Sequence, residues 1–342
     1  MGQLAGGVWS DGGTGTSGPG GAFQRAESRF RNWVTPDGHP GPSGRGGFAA
    51  APGRYHLHVS LACPWAHRAL IMRALKGLQD VIGLSVVNPV MREGGWSFTP
   101  GRGVVPDPGG AAFLHEIYTR AEPGCTTRVT VPVLQDLHTG AIVSNESADI
   151  IRMFNSAFDG VGALPGDFYP APLRPDIDAL NSRIYDTVNN GVYKAGFATT
   201  QAAYDAAVHP LFDTLDWLDG HLARRRFLCG DRLTEADVRL FTTLARFDAV
   251  YVGHFKCNIH QLKDYTTLWA YARDLYQHPG VRETVNFDHI RRHYYLSHPG
   301  INPHGVVPAG PLLDWDAPAL RARGVQMADL PGTYREASYG VA

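Results

Sequence analysis

The stretch Tyr55-His56-Leu57-His58-Val59-Ser60-Leu61-Ala62-Cys63-Pro64-Trp65-Ala66-His67-Arg68 decides how this chain is read. Residues 55–61 alternate as a half-buried strand does, and from Arg68 to Leu78 the apolar residues follow helical spacing that ends near Gly77. Proline is well tolerated at the first helical position, so Cys63 is expected to cap that helix. A thiol there faces unpaired backbone N–H groups and the positive end of the helix dipole. Both favour thiolate, and reactive cysteines in such settings have pKa values of roughly 3.5–7.5 against ~8.5 when free.

Working outward, the bulk properties narrow the field. The 342 residues are enough for two domains with ordinary cores. Thirty-one basic residues against 32 acidic ones, with no basic run, argue against nucleic acid as the main partner. No apolar run approaches the ~20 residues of a membrane span, and the first residues lack the charged and apolar parts of a signal peptide, so a cytoplasmic setting is expected. Cys63, Cys125, Cys229 and Cys257 lie far apart, which fits free thiols in a reducing compartment. The 15 histidines are scattered, and no metal is expected.

The pattern divides the chain in two. Residues up to about Gly21 are rich in Gly, Ser and Thr and are expected to be disordered, within an N-terminal extension over 1–50. Strands and helices alternate over 51–165. Val81–Val87 reads as a strand, 112–121 as a short helix, and Thr130–Asp136 with Ala141–Val143 as a hairpin. A helix is expected over 148–158. From 174 to 300 the pattern is all helical, with a long amphipathic helix through Tyr204, Leu211, Leu215 and Leu222. Thr234 and Asp237 form a shortened capping box, so Asp237 is read as a helix-nucleating residue. Residues 301–342 are a C-terminal extension. Strand, cysteine, helix is the order in which a thioredoxin-like fold carries its nucleophile, and such a fold places a cis-proline beside it; Pro132 is the candidate, with a trans proline at an edge strand as the alternative. The fold class is therefore an α/β thioredoxin-like N-terminal domain plus an all-α C-terminal domain.

That combination resembles the glutathione transferase superfamily, and several strings narrow the resemblance. Cys63-Pro64-Trp65-Ala66-His67-Arg68, Arg128-Val129-Thr130-Val131-Pro132-Val133-Leu134 and Ser144-Asn145-Glu146-Ser147 look like those of the glutathionyl-hydroquinone reductases, the Xi class. So do residues 189–198, 246–256 and 293–298, and Ile301-Asn302-Pro303. The resemblance spans about residues 30–311. It implies that Cys63 attacks the sulfur of a glutathionyl-hydroquinone or related aryl thioether, leaving hydroquinone and a mixed disulfide that a second glutathione resolves. Glutathione is then a co-substrate, and a homodimer is expected.

By the same resemblance Tyr193 and one or both of Tyr294 and Tyr295 donate protons to the ring; ordinary aromatic packing is the alternative. Ser147 would take the γ-glutamyl carboxylate, Glu146 the ammonium group, Val131 the cysteinyl backbone and Arg128 a carboxylate, with Trp96 covering the ligand. A plain helix cap is the structural alternative for Ser147. His67 either supports the thiolate or packs; Cys125, Cys229 and Cys257 are read as bystanders, and Lys194 and Lys256 either steer an anionic ligand or are solvated charges. Other functions remain open on the sequence: a general thiol transferase or dehydroascorbate reductase, the same reaction with another thiol such as mycothiol, or a non-catalytic binding module. The absence of a C-x-x-C partner favours a small thiol as reductant.

Overall fold

The computed structural model describes residues 2–12, 18–319 and 321. Its central sheet has the order β4-β3-β6-β7. Strand β3 (Tyr55–Val59) runs parallel to β4 (Ile82–Val86) and antiparallel to β6 (Val133–Asp136), and β6 pairs antiparallel with β7 (Ile142–Ser144). All five residues of β3 are buried, because this central strand is covered on both faces. Helix α1 (Pro64–Leu75) and helix α3 (Ser147–Ser156) pack together on the sheet. Gly77 follows α1 at φ 62°, a left-handed turn that glycine adopts without penalty. The short helix α2 (Leu114–Ala121) leads to strand β5 (Thr127–Arg128).

The helical half contains α4 (Arg174–Ile184), α5 (Gly191–Gly196), α6 (Gln201–Leu222), α7 (Glu235–Leu244), α8 (Thr266–Tyr276) and α9 (Phe287–Ser297). Asp237 accepts hydrogen bonds from the backbone N–H groups of Thr234 and Leu228 and from the Tyr271 hydroxyl, at 2.8 Å each. It thus begins α7 and also ties a loop and α8 to it. Two five-residue π-helical turns follow α4 and α7, over Tyr185–Asn189 and Phe247–Tyr251. Such turns re-aim side chains by one position and recur at functional sites.

The N-terminal residues differ from expectation. β1 (Gln3–Ala5) and β2 (Val8–Ser10) form an antiparallel hairpin, and β1 also pairs with β5. Gly6 and Gly7 both have positive φ, which a two-residue hairpin turn requires. Leu4 is fully buried, worth about 1.5–3 kcal/mol, and Trp9 stacks on His115 with ring centres 4.8 Å apart. The glycine-rich composition conceals this pattern. The expected disorder over residues 13–17 lies outside the described residues, as does most of the tail beyond 319. Within the C-terminal extension Trp315 packs edge-on against Trp269 at 4.7 Å.

Candidate active site

Cys63 occupies the cap position of α1 with extended backbone, and Pro64 is the first helical residue. The half-buried thiol donates to the carbonyl of Val131 at 3.6 Å, and the Val131–Pro132 bond is cis. Loss of solvent pushes the thiol's pKa up; the N–H groups of Ala66 and Trp65 and the guanidinium groups of Arg246 and Arg25 pull it down. The helix start therefore supplies the thiolate-favouring groups expected from the sequence, but dehydration outweighs them here.

His67 faces neither solvent nor the thiol's service. It is fully buried; Arg246 donates to its Nδ1 at 3.0 Å, and its Nε2 donates to Thr284 Oγ1 at 2.8 Å. Burial drives its pKa well below the ordinary value, so it is a neutral bridge between the two halves. Arg246 also donates to the carbonyls of Ala62 (2.7 Å), Leu61 (3.0 Å) and Thr242 (2.7 Å). It places a buried positive charge behind Cys63 and holds the backbone that precedes the nucleophile. Although Arg246 begins one of the quoted strings, residue type alone gave it no role.

Three phenols converge beside the cysteine. Tyr294, on α9, meets the hydroxyl of Tyr193, on α5, at 2.7 Å and that of Tyr251 at 2.9 Å. Burial raises the pKa of all three, so each keeps its proton at neutral pH. Tyr251 was missed in the sequence because the π-turn that carries it into the site has no periodic signature. Tyr295 is not joined to the three; its ring packs edge-on against His254 at 4.9 Å. Trp96 is buried and stacks at 4.8 Å on His293, the residue before Tyr294, whose Nδ1 donates to the Pro89 carbonyl at 2.9 Å.

The remaining polar groups lie at the edge of the sheet. Arg128 ends β5 and pairs with Gln3; burial and the nearby charge of Arg25 lower its pKa. Glu146, not Ser147, is the cap of α3: its Oε1 accepts from the Ala148 N–H at 3.0 Å. Its Oε2 accepts from the Ser28 hydroxyl at 2.9 Å. Ser147 is the first helical residue, with its hydroxyl at the helix start. Together these residues offer cations, a helix N-terminus and a carboxylate, the donor set a peptide with two carboxylates and one ammonium group needs.

Residues 18–28 link the two halves beside these groups. Thr200 donates to the Gly20 carbonyl at 2.7 Å, Arg25 donates to Asn190 Oδ1 at 2.7 Å, and Ser28 meets Glu146. The Arg25 guanidinium lies over the rings of Trp65 at 4.5 Å and Tyr193 at 4.9 Å. The sequence carried no signal for this arrangement beyond a Gly-rich stretch. Lys194 pairs with Asp186, away from the cysteine. Among the described residues no group of three or more His, Cys, Asp or Glu is placed to hold a metal ion.

Residues 62–157 match the glutathione S-transferase N-terminal domain family and residues 201–274 the C-terminal domain family. The glutathionyl-hydroquinone reductase YqjG of Escherichia coli is 58% identical over 325 residues, covering 93% of this chain and 98% of its own. The glutathionyl-hydroquinone reductase PcpF of Sphingobium chlorophenolicum is 55% identical over 312 residues, covering 91% and 96%. Among solved structures, glutathione-bound YqjG superposes with a TM-score of 0.87 over 93% of this chain and 98% of that one, at 55% identity. The glutathione transferase Xi of Phanerochaete chrysosporium gives 0.81 over 85% and 98%, at 50% identity.

Proposed function

This chain belongs to the glutathionyl-hydroquinone reductases, the Xi class of glutathione transferases, and from that membership we propose that it removes glutathione from glutathionyl-hydroquinones. The observation that carries the reading is a lone cysteine at a helix start beside a buried group of three phenols. Residues 51–165 bind the thiol peptide, and 174–300 bind the aromatic ring. Ser147, Glu146, Val131 and Arg128 hold glutathione, and Trp96 covers it.

The chemistry is a two-step exchange. Cys63 thiolate attacks the thioether sulfur; a sulfur–sulfur bond forms and the carbon–sulfur bond breaks. The ring carbon takes the electron pair, made acceptable by the keto tautomer that the ring hydroxyl allows, and is protonated. If Tyr251 donates to Tyr294 and Tyr294 to Tyr193, the Tyr193 proton is free for the substrate. A second glutathione, as thiolate, then attacks the Cys63–glutathione disulfide, releasing oxidised glutathione and restoring Cys63. Arg246 and the helix N–H groups oppose the rise in pKa that burial imposes on the Cys63 thiol. Four free cysteines suit a reducing compartment such as the cytoplasm, and the family resemblance suggests a homodimer.

Turnover separates this reading from a general thiol transferase. The enzyme should release hydroquinone and oxidised glutathione in equal amounts from a glutathionyl-hydroquinone. It should be much slower with hydroxyethyl disulfide, a mixed-disulfide-forming substrate that lacks the ring. The opposite preference would overturn it.

A further inference from the structure

Arg68 is 1% exposed, yet among the described residues no carboxylate lies within ion-pair distance of it. Its Nη2 donates to Asn189 Oδ1 at 2.7 Å and its Nη1 to Ser147 Oγ at 3.4 Å, while Nε has no hydrogen-bond partner among the described residues. The guanidinium lies over the Trp65 ring at 4.5 Å. The nearby carboxylates are already engaged. Glu235 is bonded by Arg152, Arg239 and Asn181, and Glu146 faces Ser28 and the start of α3. Arg239 adds repulsion, and burial above all drags the Arg68 pKa down to about 9. A buried cation without an anion is costly, and the cost falls when an anion arrives.

We propose that Arg68 is a positioning residue for glutathione, its missing anion being the α-carboxylate of the γ-glutamyl unit docked at Ser147. The inference rests on the reading of Ser147 as the γ-glutamyl site. Arg68 acts through the hydroxyl: Ser147 Oγ accepts from the guanidinium, and its own proton makes only a 3.5 Å contact with Glu146. That proton can turn to the ligand carboxylate, in line with the N–H groups that open α3 and with a full positive charge behind them. The π-turn over Tyr185–Asn189 supplies Asn189, which fixes the guanidinium in this orientation. The helical half thus helps to tune a binding site formed by the other half.

Calorimetric titration of the full chain tests this with glutathione and with 4-aminobutanoyl-cysteinylglycine, which keeps the ammonium group but lacks the carboxylate. Wild type should prefer glutathione. Arg68→Met should weaken glutathione about 10- to 100-fold, leave the analogue unchanged, and raise KM for glutathione without lowering kcat. Arg68→Lys should recover part of the loss, and it serves as the test if the methionine variant does not fold. Equal affinity of wild type and Arg68→Met for glutathione, or an equal loss for both peptides, would overturn the role of Arg68 while the Ser147 site stands. A wild type that does not discriminate between the peptides would overturn the Ser147 reading itself, and the proposal with it.

Discussion

At the scale of single residues, the site combines a thiol that dehydration makes reluctant to ionise with cations and N–H groups that oppose that reluctance. The phenols work in the opposite sense: burial keeps their protons on, which suits donors. Tyr251 meets the Tyr294 hydroxyl at 2.9 Å, and its ring packs edge-on against that of Tyr193. Tyr251→Phe is expected to lower kcat about five- to tenfold, with little change in KM, because the hydrogen bond that orients Tyr294 is lost. Tyr295→Phe, which removes a hydroxyl outside the group of three, should cost less. Steady-state kinetics of the two variants at saturating glutathione checks both. Cys63, Tyr193 and the Glu146-Ser147 pair stand out as candidates in the sequence because motif strings carry residue type and spacing together. Arg246 and Tyr251 give no such signal, because Arg246 is defined by the carbonyls it meets across the domain boundary and Tyr251 by a hydroxyl it meets within the helical half.

At the scale of elements, legibility followed periodicity. The β3–α1 unit, the β6–β7 hairpin and α6 announce themselves by alternation or helical spacing, and the structure places them within a few residues of expectation. Elements without a period were lost. The β1–β2 hairpin is three residues to a strand and sits inside a Gly-rich stretch, yet its Gly6-Gly7 turn and buried Leu4 are ordinary hairpin chemistry. The two five-residue π-turns break the helical period, so they are invisible to pattern, and they carry Asn189 and Tyr251. Choosing the cap of α3 also needed coordinates. Glu146 and Ser147 are neighbours, and only the bond from the Ala148 N–H distinguishes them. Gly196 shows the tolerance of these elements: a Cβ there would lie 2.1 Å from the Phe255 ring, which packs against Tyr193.

At the scale of the whole molecule, the two halves are joined by polar contacts that are buried and mostly neutral or satisfied. His67 meets Thr284 and Arg246, and Arg68 meets Asn189. Burial lowers the pKa of His56, His254 and His293 to about 4. Each is neutral in the native state and takes up a proton on unfolding once the pH falls below about 6.5. Their contribution to stability is therefore complete above that value and is lost progressively as the pH falls through the window from there to about 4. The melting temperature should be level above neutrality and fall across that window. A profile that stays flat to its lower edge would show these imidazoles to be more solvated than their packing indicates. The most direct test of the account is the intact mass of the protein after incubation with a glutathionyl-hydroquinone and no free thiol. The account predicts one glutathione adduct per chain, release of hydroquinone, and removal of the adduct by added glutathione. No adduct on the wild type, or an adduct that persists in Cys63→Ala, would contradict it.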